Sequence, residues 1–279
     1  MRESLSQVSL RVPFRVKLAA VWLAIFGVLW IMFDLVHFDV GWMRQNYLFI
    51  FRGLPYTVII CVFSILLAIV LALIGALGRI SKNPVAYGVS GFYVSFFRGT
   101  PLIVQLFLWY LGLAQVGSNL VASGHSWAHW LILDAFIAGI LALGFNYGAY
   151  MTEIFRAGIQ SVSHGQYEAA QALGMTYRQL MRRVVLPQAF RVIIPPTGNE
   201  FIAMLKDSAL VSVLGTSLAT MELFRRAQLA GKADFRYLEA LILAAVMYWA
   251  LTSVFSYFQG RLERRLSKGY VRELRVYTH

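Results

Sequence analysis

Between Arg52 and Arg79 the chain runs for 26 residues, Gly53 to Gly78, without one charged side chain. Coiled as a helix, such a run extends about 39 Å, longer than the roughly 30 Å hydrocarbon layer of a bilayer. Water is a poor solvent for a segment of this kind, and the rest of the chain agrees. Hydrophobic residues make up 59% of the 279 positions and charged residues 14%, against about 25% charged in soluble domains. A pair of soluble domains, a disordered chain and a disulfide scaffold are all excluded. The single cysteine, Cys61, sits inside the apolar run and reads as a small buried residue. The net charge of +12 is scattered between apolar runs and forms no continuous stripe, so no nucleic-acid partner is implied.

The expected architecture is all-α: a polytopic membrane protein with six transmembrane helices. Further spans read as Gly99 to about Val116, Ala135 to Thr152, and Tyr237 to Gly260. Another starts near Pro187 and is expected to break at Pro195, Pro196 and Gly198. The first span, Leu18 to Phe33, holds 16 uncharged residues before Asp34, with Lys17 able to snorkel. No small-residue cleavage site follows it, so it reads as a retained anchor, not a signal peptide. Of the 25 lysines and arginines, 18 fall on the face holding both termini and 7 on the other. The positive-inside rule makes the termini cytoplasmic. One loop, Lys206 to Arg236, is basic yet falls outside, and the sequence offers no account of it beyond partial neutralisation by Asp207, Glu222 and Asp234.

No internal or inverted repeat is visible, and no linker divides the chain. Between the fourth and fifth spans, Gly165 to Phe190 is too regular for a loop. Glu168 to Leu173 favours helix, Gly174 has the character of a left-handed cap, and Thr176 can cap a second short helix, Tyr177 to Arg183. Leu186-Pro187 would then turn the chain back into the membrane. Ala169, Ala170 and Leu173 on one side would fill a groove on another protein. An amphipathic helix lying on membrane lipid is the other reading, favoured by Arg182 and Arg183.

Glu168-Ala169-Ala170, three residues, Gly174, nine residues, Val184, one residue, Leu186-Pro187 resembles the EAA loop of ABC importer permeases. That family usually has isoleucine where Val184 stands. Phe97-Arg98-Gly99-Thr100-Pro101-Leu102, Tyr147-Gly148-Ala149-Tyr150 with Glu153 and Arg156, and in part Lys206-Asp207-Ser208-Ala209-Leu210 resemble its polar amino-acid branch. The resemblance implies a type I ABC importer permease fold. Residues 1–51 would add a cytoplasmic segment, an extra helix and an outer loop. Residues 52–272 would form the permease core with a coupling segment at 165–187, and 273–279 a cytoplasmic tail. It implies a bacterial inner-membrane subunit importing polar amino acids. ATP and magnesium would be held by an ATP-binding cassette subunit. A second permease subunit, identical or related, and an extracytoplasmic substrate-binding protein would complete the assembly. Docking on the cassette subunit would fall to Glu168, Ala169, Ala170, Leu173, Gly174 and Pro187.

Read without the family, Thr100 is a candidate N-cap and Arg98 either a gate or an anchor at lipid phosphates. Asn146, Tyr150 and Glu153 form one helical stripe, with Glu153–Arg156 as a structural pair and Asn146 as the better path-lining residue. In the fifth span Asn199 and Lys206 share one face, and Glu200 and Asp207 another. Opposite charges around a shared path suit a zwitterion; an internal salt bridge is the plainer alternative. The chain has no phosphate-binding GxxxxGK[ST] loop, no HExxH and no CxxC, so neither a catalytic nor a metal site is expected. The rivals are an ion-coupled secondary transporter using Glu200 and Glu153 for protons, and a membrane-embedded enzyme, which lacks clustered catalytic groups.

Overall fold

The computed structural model describes residues 13–35 and 37–266. Expectations resting on residues 1–12, Val36 and 267–279, the 273–279 tail among them, lie outside these residues. Among the described residues every regular element is helical. Helix α1 is Phe14–Leu35, α2 Val40–Phe51, α3 Leu54–Ile80 and α4 Pro84–Gly99. Helix α5 spans Leu102–Ala122 with a π turn at Leu108–Gly112, and α6 is Ala135–Gln160. The pair α7 (His164–Ala172) and α8 (Tyr177–Leu180) follows, then a π turn, Met181–Val185, leading into α9, Leu186–Asp207. A 3-10 helix, Ser208–Leu214, precedes α10 (Leu223–Ala233) and α11 (Tyr237–Leu266).

Four stretches are long and apolar enough to cross a membrane: Val40–Ile80, Leu102–Ala122, Ala135–Gln160 and Tyr237–Leu266. The other two expected spans correspond to α1 and α9, each of 22 residues, or about 33 Å. Helix α9 carries Arg191, Glu200, Lys206 and Asp207, which lower its hydropathy. The structure adds α2 to what was expected to be an outer loop; Asp39 caps it by accepting from the Trp42 N–H.

The core is a seam of small residues. On α3, Thr57, Cys61, Ser64, Ala68, Ala72 and Ala76 recur every three or four positions and are buried. They pack on α6, where Gly144, Gly148 and Thr152 lie against Leu67, Leu71 and Gly75, and the two form the most extensive helix pair in the fold. Small residues let two helix backbones approach where lipid supplies no hydrophobic drive. The Ser64 hydroxyl donates to the Ile140 carbonyl across the seam (3.1 Å), and a Cβ on Gly144 would lie 2.6 Å from Leu67 Cδ2.

The expected break at Pro195-Pro196 does not occur, and α9 continues through both prolines. A side chain from another helix packs on the backbone there. Gly198 leaves room for the Gln259 amide of α11, which donates to the Pro195 carbonyl (2.7 Å). Nor does Leu186-Pro187 turn the chain. Pro187 sits in the first turn of α9, directly after the π turn that carries α8 into it.

Candidate functional site: the helix pair and the charged path

The α7–α8 corner is closed by its own backbone. Gly174 adopts φ +73°, the left-handed conformation expected of it, and the Met175 N–H donates to the Ala170 carbonyl (3.1 Å). Thr176 then caps α8 in a capping box. Its hydroxyl accepts from the Gln179 N–H (3.4 Å), and the Gln179 side chain accepts from the Thr176 N–H (2.9 Å). With the polar groups satisfied locally, large apolar side chains are left facing out: Leu173 is 76% exposed and Tyr177 77%. Glu168 is exposed beside His164, 3.0 Å from its ring, and Ala169 is exposed as well. Ala170 corrects the expected face. It points inward with Leu180 into the chain's own core, because the i, i+3 step from Ala170 to Leu173 crosses from the buried to the open side. Pro187 is a helix-start residue on the membrane side of the π turn. Burial raises the pKa of the Tyr167 phenol, which packs under the pair.

Glu153 behaves as the structural reading anticipates. It pairs with Arg156 (2.6 Å) and with Arg79 of α3 (3.4 Å), closing the end of the α3–α6 seam next to α7. Asn146, expected to line the path, meets other side chains and backbone of this chain. It is buried, donating to the Phe97 carbonyl and to Gln105 Oε1, both at 3.1 Å. Gln105, missed in the sequence, is the hub of this network. It is 1% exposed, and its amide donates to the Phe97 and Thr100 carbonyls and to the Thr100 hydroxyl. A glutamine in an apolar run was the available signal.

Thr100 also differs from expectation: it closes α4 instead of capping α5, its hydroxyl donating back to the Phe96 carbonyl (2.8 Å). Two helices meet at one corner, and the hydroxyl serves the earlier one. Arg98 is exposed, with its guanidinium 5.2 Å from the centre of the Tyr150 ring.

On α9 the two faces separate as expected. Asn199 and Lys206 are exposed, and Glu200 and Asp207 half-buried. The Tyr147 hydroxyl of α6 donates to Asp207 (2.8 Å). No ion pair joins Glu200 to Lys206 among the described residues. Tyr147 and Asp207 therefore form a polar patch with Glu200 nearby, on the face where Arg98 and Tyr150 meet.

The basic loop at the opposite end is a folded element. Glu222, fully buried, caps α10 by accepting from the Phe224 and Arg225 N–H groups and also accepts from the Tyr248 hydroxyl. Burial pushes its pKa up to about 7. Arg226 is 9% exposed and donates to the Met221 and Leu218 carbonyls. Arg236 bridges Asp39 and Glu239, and the Trp42 indole donates to Asp234 (2.7 Å). Arg226 and Arg236 are thus drawn into the structure, which answers in part the charge pattern left unexplained by topology.

Residues 64–268 match the family described as binding-protein-dependent transport system inner membrane component. An arginine transport system permease protein, ArgU of Corynebacterium glutamicum, is 38% identical over 95% of this chain and 84% of its own length. A probable amino-acid permease protein, YxeN of Bacillus subtilis, is 39% identical over 78% of this chain and 92% of its own. A solved amino acid ABC transporter crystallised with histidines is 39% identical, covers 81% of this chain and 98% of its own, and superposes with a TM-score of 0.72. The MetNI methionine ABC transporter, at 20% identity and a TM-score of 0.61, shares the fold. These matches do not favour the ion-coupled rival. An all-α membrane fold with a helix pair set between its fourth and fifth expected spans, matched over residues 64–268, identifies this chain as a member of the inner-membrane permease family of binding-protein-dependent ABC transport systems.

Proposed function

We propose that this permease imports polar amino acids, and that it does so as one of two permease subunits enclosing the path. A separate ATP-binding cassette subunit holds ATP and magnesium and grips α7–α8. A substrate-binding protein delivers the amino acid to the opposite side, and both termini lie in the cytoplasm. The names of the relatives support the substrate class. The observation that carries the coupling role is the corner itself: Leu173 and Tyr177 stand exposed on either side of a turn whose backbone is already satisfied. An apolar pair held rigidly in the open is suited to a groove in a partner. Substrate would pass the face bearing Glu200, Asp207, Lys206 and Asn199, with Arg98 at its edge. Glu153 and Asn146 hold that face from behind.

Gly174 offers a clean test, because a Cβ there meets nothing within 4 Å. Gly174→Val costs only the left-handed backbone, about 1–2 kcal/mol. The variant is expected to insert at wild-type levels, lose at least about tenfold of uptake, and uncouple ATP hydrolysis from loaded binding protein. Gly174→Asn, which tolerates φ above zero, should retain most activity. Wild-type uptake by the valine variant would remove the coupling role.

A further inference from the structure

Helix α8, the π turn and α9 follow one another without a break from Tyr177 to Asp207. The 22 residues of α9 rise about 33 Å, enough to fill the roughly 30 Å hydrocarbon layer. The π turn, Met181–Val185, then falls in the layer of lipid headgroups, which adds about 5–7 Å on each side. That turn carries Arg182 and Arg183, and Arg178 stands one turn farther out. All three side chains are exposed. With Gln179 they line an open recess of about 530 Å³ to which no acidic residue contributes.

Other arginines of the chain are engaged by their neighbours. Arg79 and Arg156 pair with Glu153, and Arg98 and Arg261 lie over the rings of Tyr150 and Tyr257. Among the described residues Arg178, Arg182 and Arg183 join no ion pair. Gln179 adds a further donor. Its Oε1 accepts from the Thr176 N–H, which leaves the side-chain NH2 to donate elsewhere. Guanidinium forks meet phosphate oxygens in paired, charge-assisted hydrogen bonds. The phosphates of a bilayer lie at the depth of this turn.

We infer that Arg178, Arg182 and Arg183 seat the phosphate of an anionic phospholipid, and that this contact holds the helix pair at the membrane surface while a partner acts on it. The inference rests on the cytoplasmic placement of α7–α8 proposed above and adds a lipid ligand to it. Protein docking and lipid contact fall to different residues of one segment. Leu173 and Tyr177 present apolar surface, whereas no apolar residue lines the recess. A zwitterionic lipid brings its own ammonium beside the phosphate and competes with the arginines. Phosphatidylglycerol brings net negative charge alone.

Binding of spin-labelled phosphatidylglycerol to the complete transporter, purified in neutral detergent, tests the seat. Each cation facing an anionic lipid contributes about fivefold in affinity. Arg182→Gln should therefore weaken binding about fivefold, and the triple variant Arg178→Gln, Arg182→Gln, Arg183→Gln at least about tenfold. Arg182→Lys keeps the charge without the fork and should fall between wild type and Arg182→Gln. In liposomes of phosphatidylcholine, added phosphatidylglycerol should raise wild-type uptake severalfold and leave the triple variant unmoved. Equal lipid affinity in wild type and triple variant overturns the seat. A triple variant that binds the purified cassette subunit more weakly in neutral detergent assigns the arginines to protein, and overturns it as well. Inorganic phosphate that stimulates uptake in phosphatidylcholine as strongly as phosphatidylglycerol does would give the recess to a soluble anion. Wild-type uptake indifferent to the lipid removes the role in holding the helix pair. The underlying placement is checked separately: an impermeant thiol reagent that labels Arg178→Cys in intact cells would fell the cytoplasmic reading, not the lipid chemistry.

Discussion

The two ends of this permease solve opposite problems. At the α7–α8 end, apolar side chains are left outside: Leu173 and Tyr177 are more than three-quarters exposed, while the turn between them satisfies its own backbone. At the α2–α10 end, charged side chains are taken inside: Glu222 is fully buried, and Glu239 and Arg226 nearly so. Each is bonded to a segment distant in sequence, as Arg236 is to Asp39 and Tyr248 is to Glu222. An end that leaves apolar groups unpaired suits the partner proposed for it. An end that cross-links its own charges is made to hold its shape.

The largest effect expected from this contrast comes from opening the closed end. Glu222→Ala leaves the Tyr248 hydroxyl and two backbone N–H groups without their acceptor. The loss should be roughly 2–4 kcal/mol, read as a melting temperature lower by roughly 5–15 °C. A change within a degree would mean that this end is not self-supporting.

The open end should respond in a different currency. Leu173→Ser with Tyr177→Ser removes apolar surface left largely uncovered among the described residues, so the melting temperature should hold or rise. Affinity for the cassette subunit should fall by at least about tenfold, since burying one such side chain is worth about 1.5–3 kcal/mol. Pull-down or calorimetry with the purified partner decides this, and undiminished binding would erase the distinction between the ends.

The narrowest test is a pH slope. The Glu222 carboxyl titrates near 7 in the folded chain, against an ordinary 4.5. Its protonated form is the one burial favours, so the stabilisation is complete below about pH 4.5 and is lost as pH rises through 7. Glu222→Gln should flatten that part of the melting-temperature profile between pH 4.5 and 7. A profile unchanged by the substitution would show that the carboxyl titrates normally.

What the sequence revealed and what it hid divide along a physical line. Uncharged runs marked the spans because a bilayer penalises charge residue by residue. Gly174 and Thr176 were legible because turn and cap chemistry is local. Glu153 was read correctly with Arg156, three positions away on the same helix. The partners of Asn146 and the burial of Ala170 were not legible, because periodicity assigns a residue to a face without saying what lies opposite. In the structure Gln105 and the Phe97 carbonyl stand across from Asn146, and the chain's own core across from Ala170. Pro195-Pro196 misled for a related reason: what packs on the helix there, the Gln259 amide on the Pro195 carbonyl, comes from 64 positions away.

The seam between α3 and α6 has a mechanical consequence. Two helices whose backbones meet largely through alanine, glycine and serine have few long side chains between them to flex or change rotamer. Such a pair is a strut, stiff along its length. Arg79 and Glu153 clamp it at the end next to α7, and Leu223 sits against Gly53 and Thr57 at the other. A displacement of the helix pair by a partner would therefore reach the far end as tilt, with little of it absorbed on the way. Beside the strut lie the π turns at Leu108–Gly112 and Met181–Val185, where the helical ladder is already out of step.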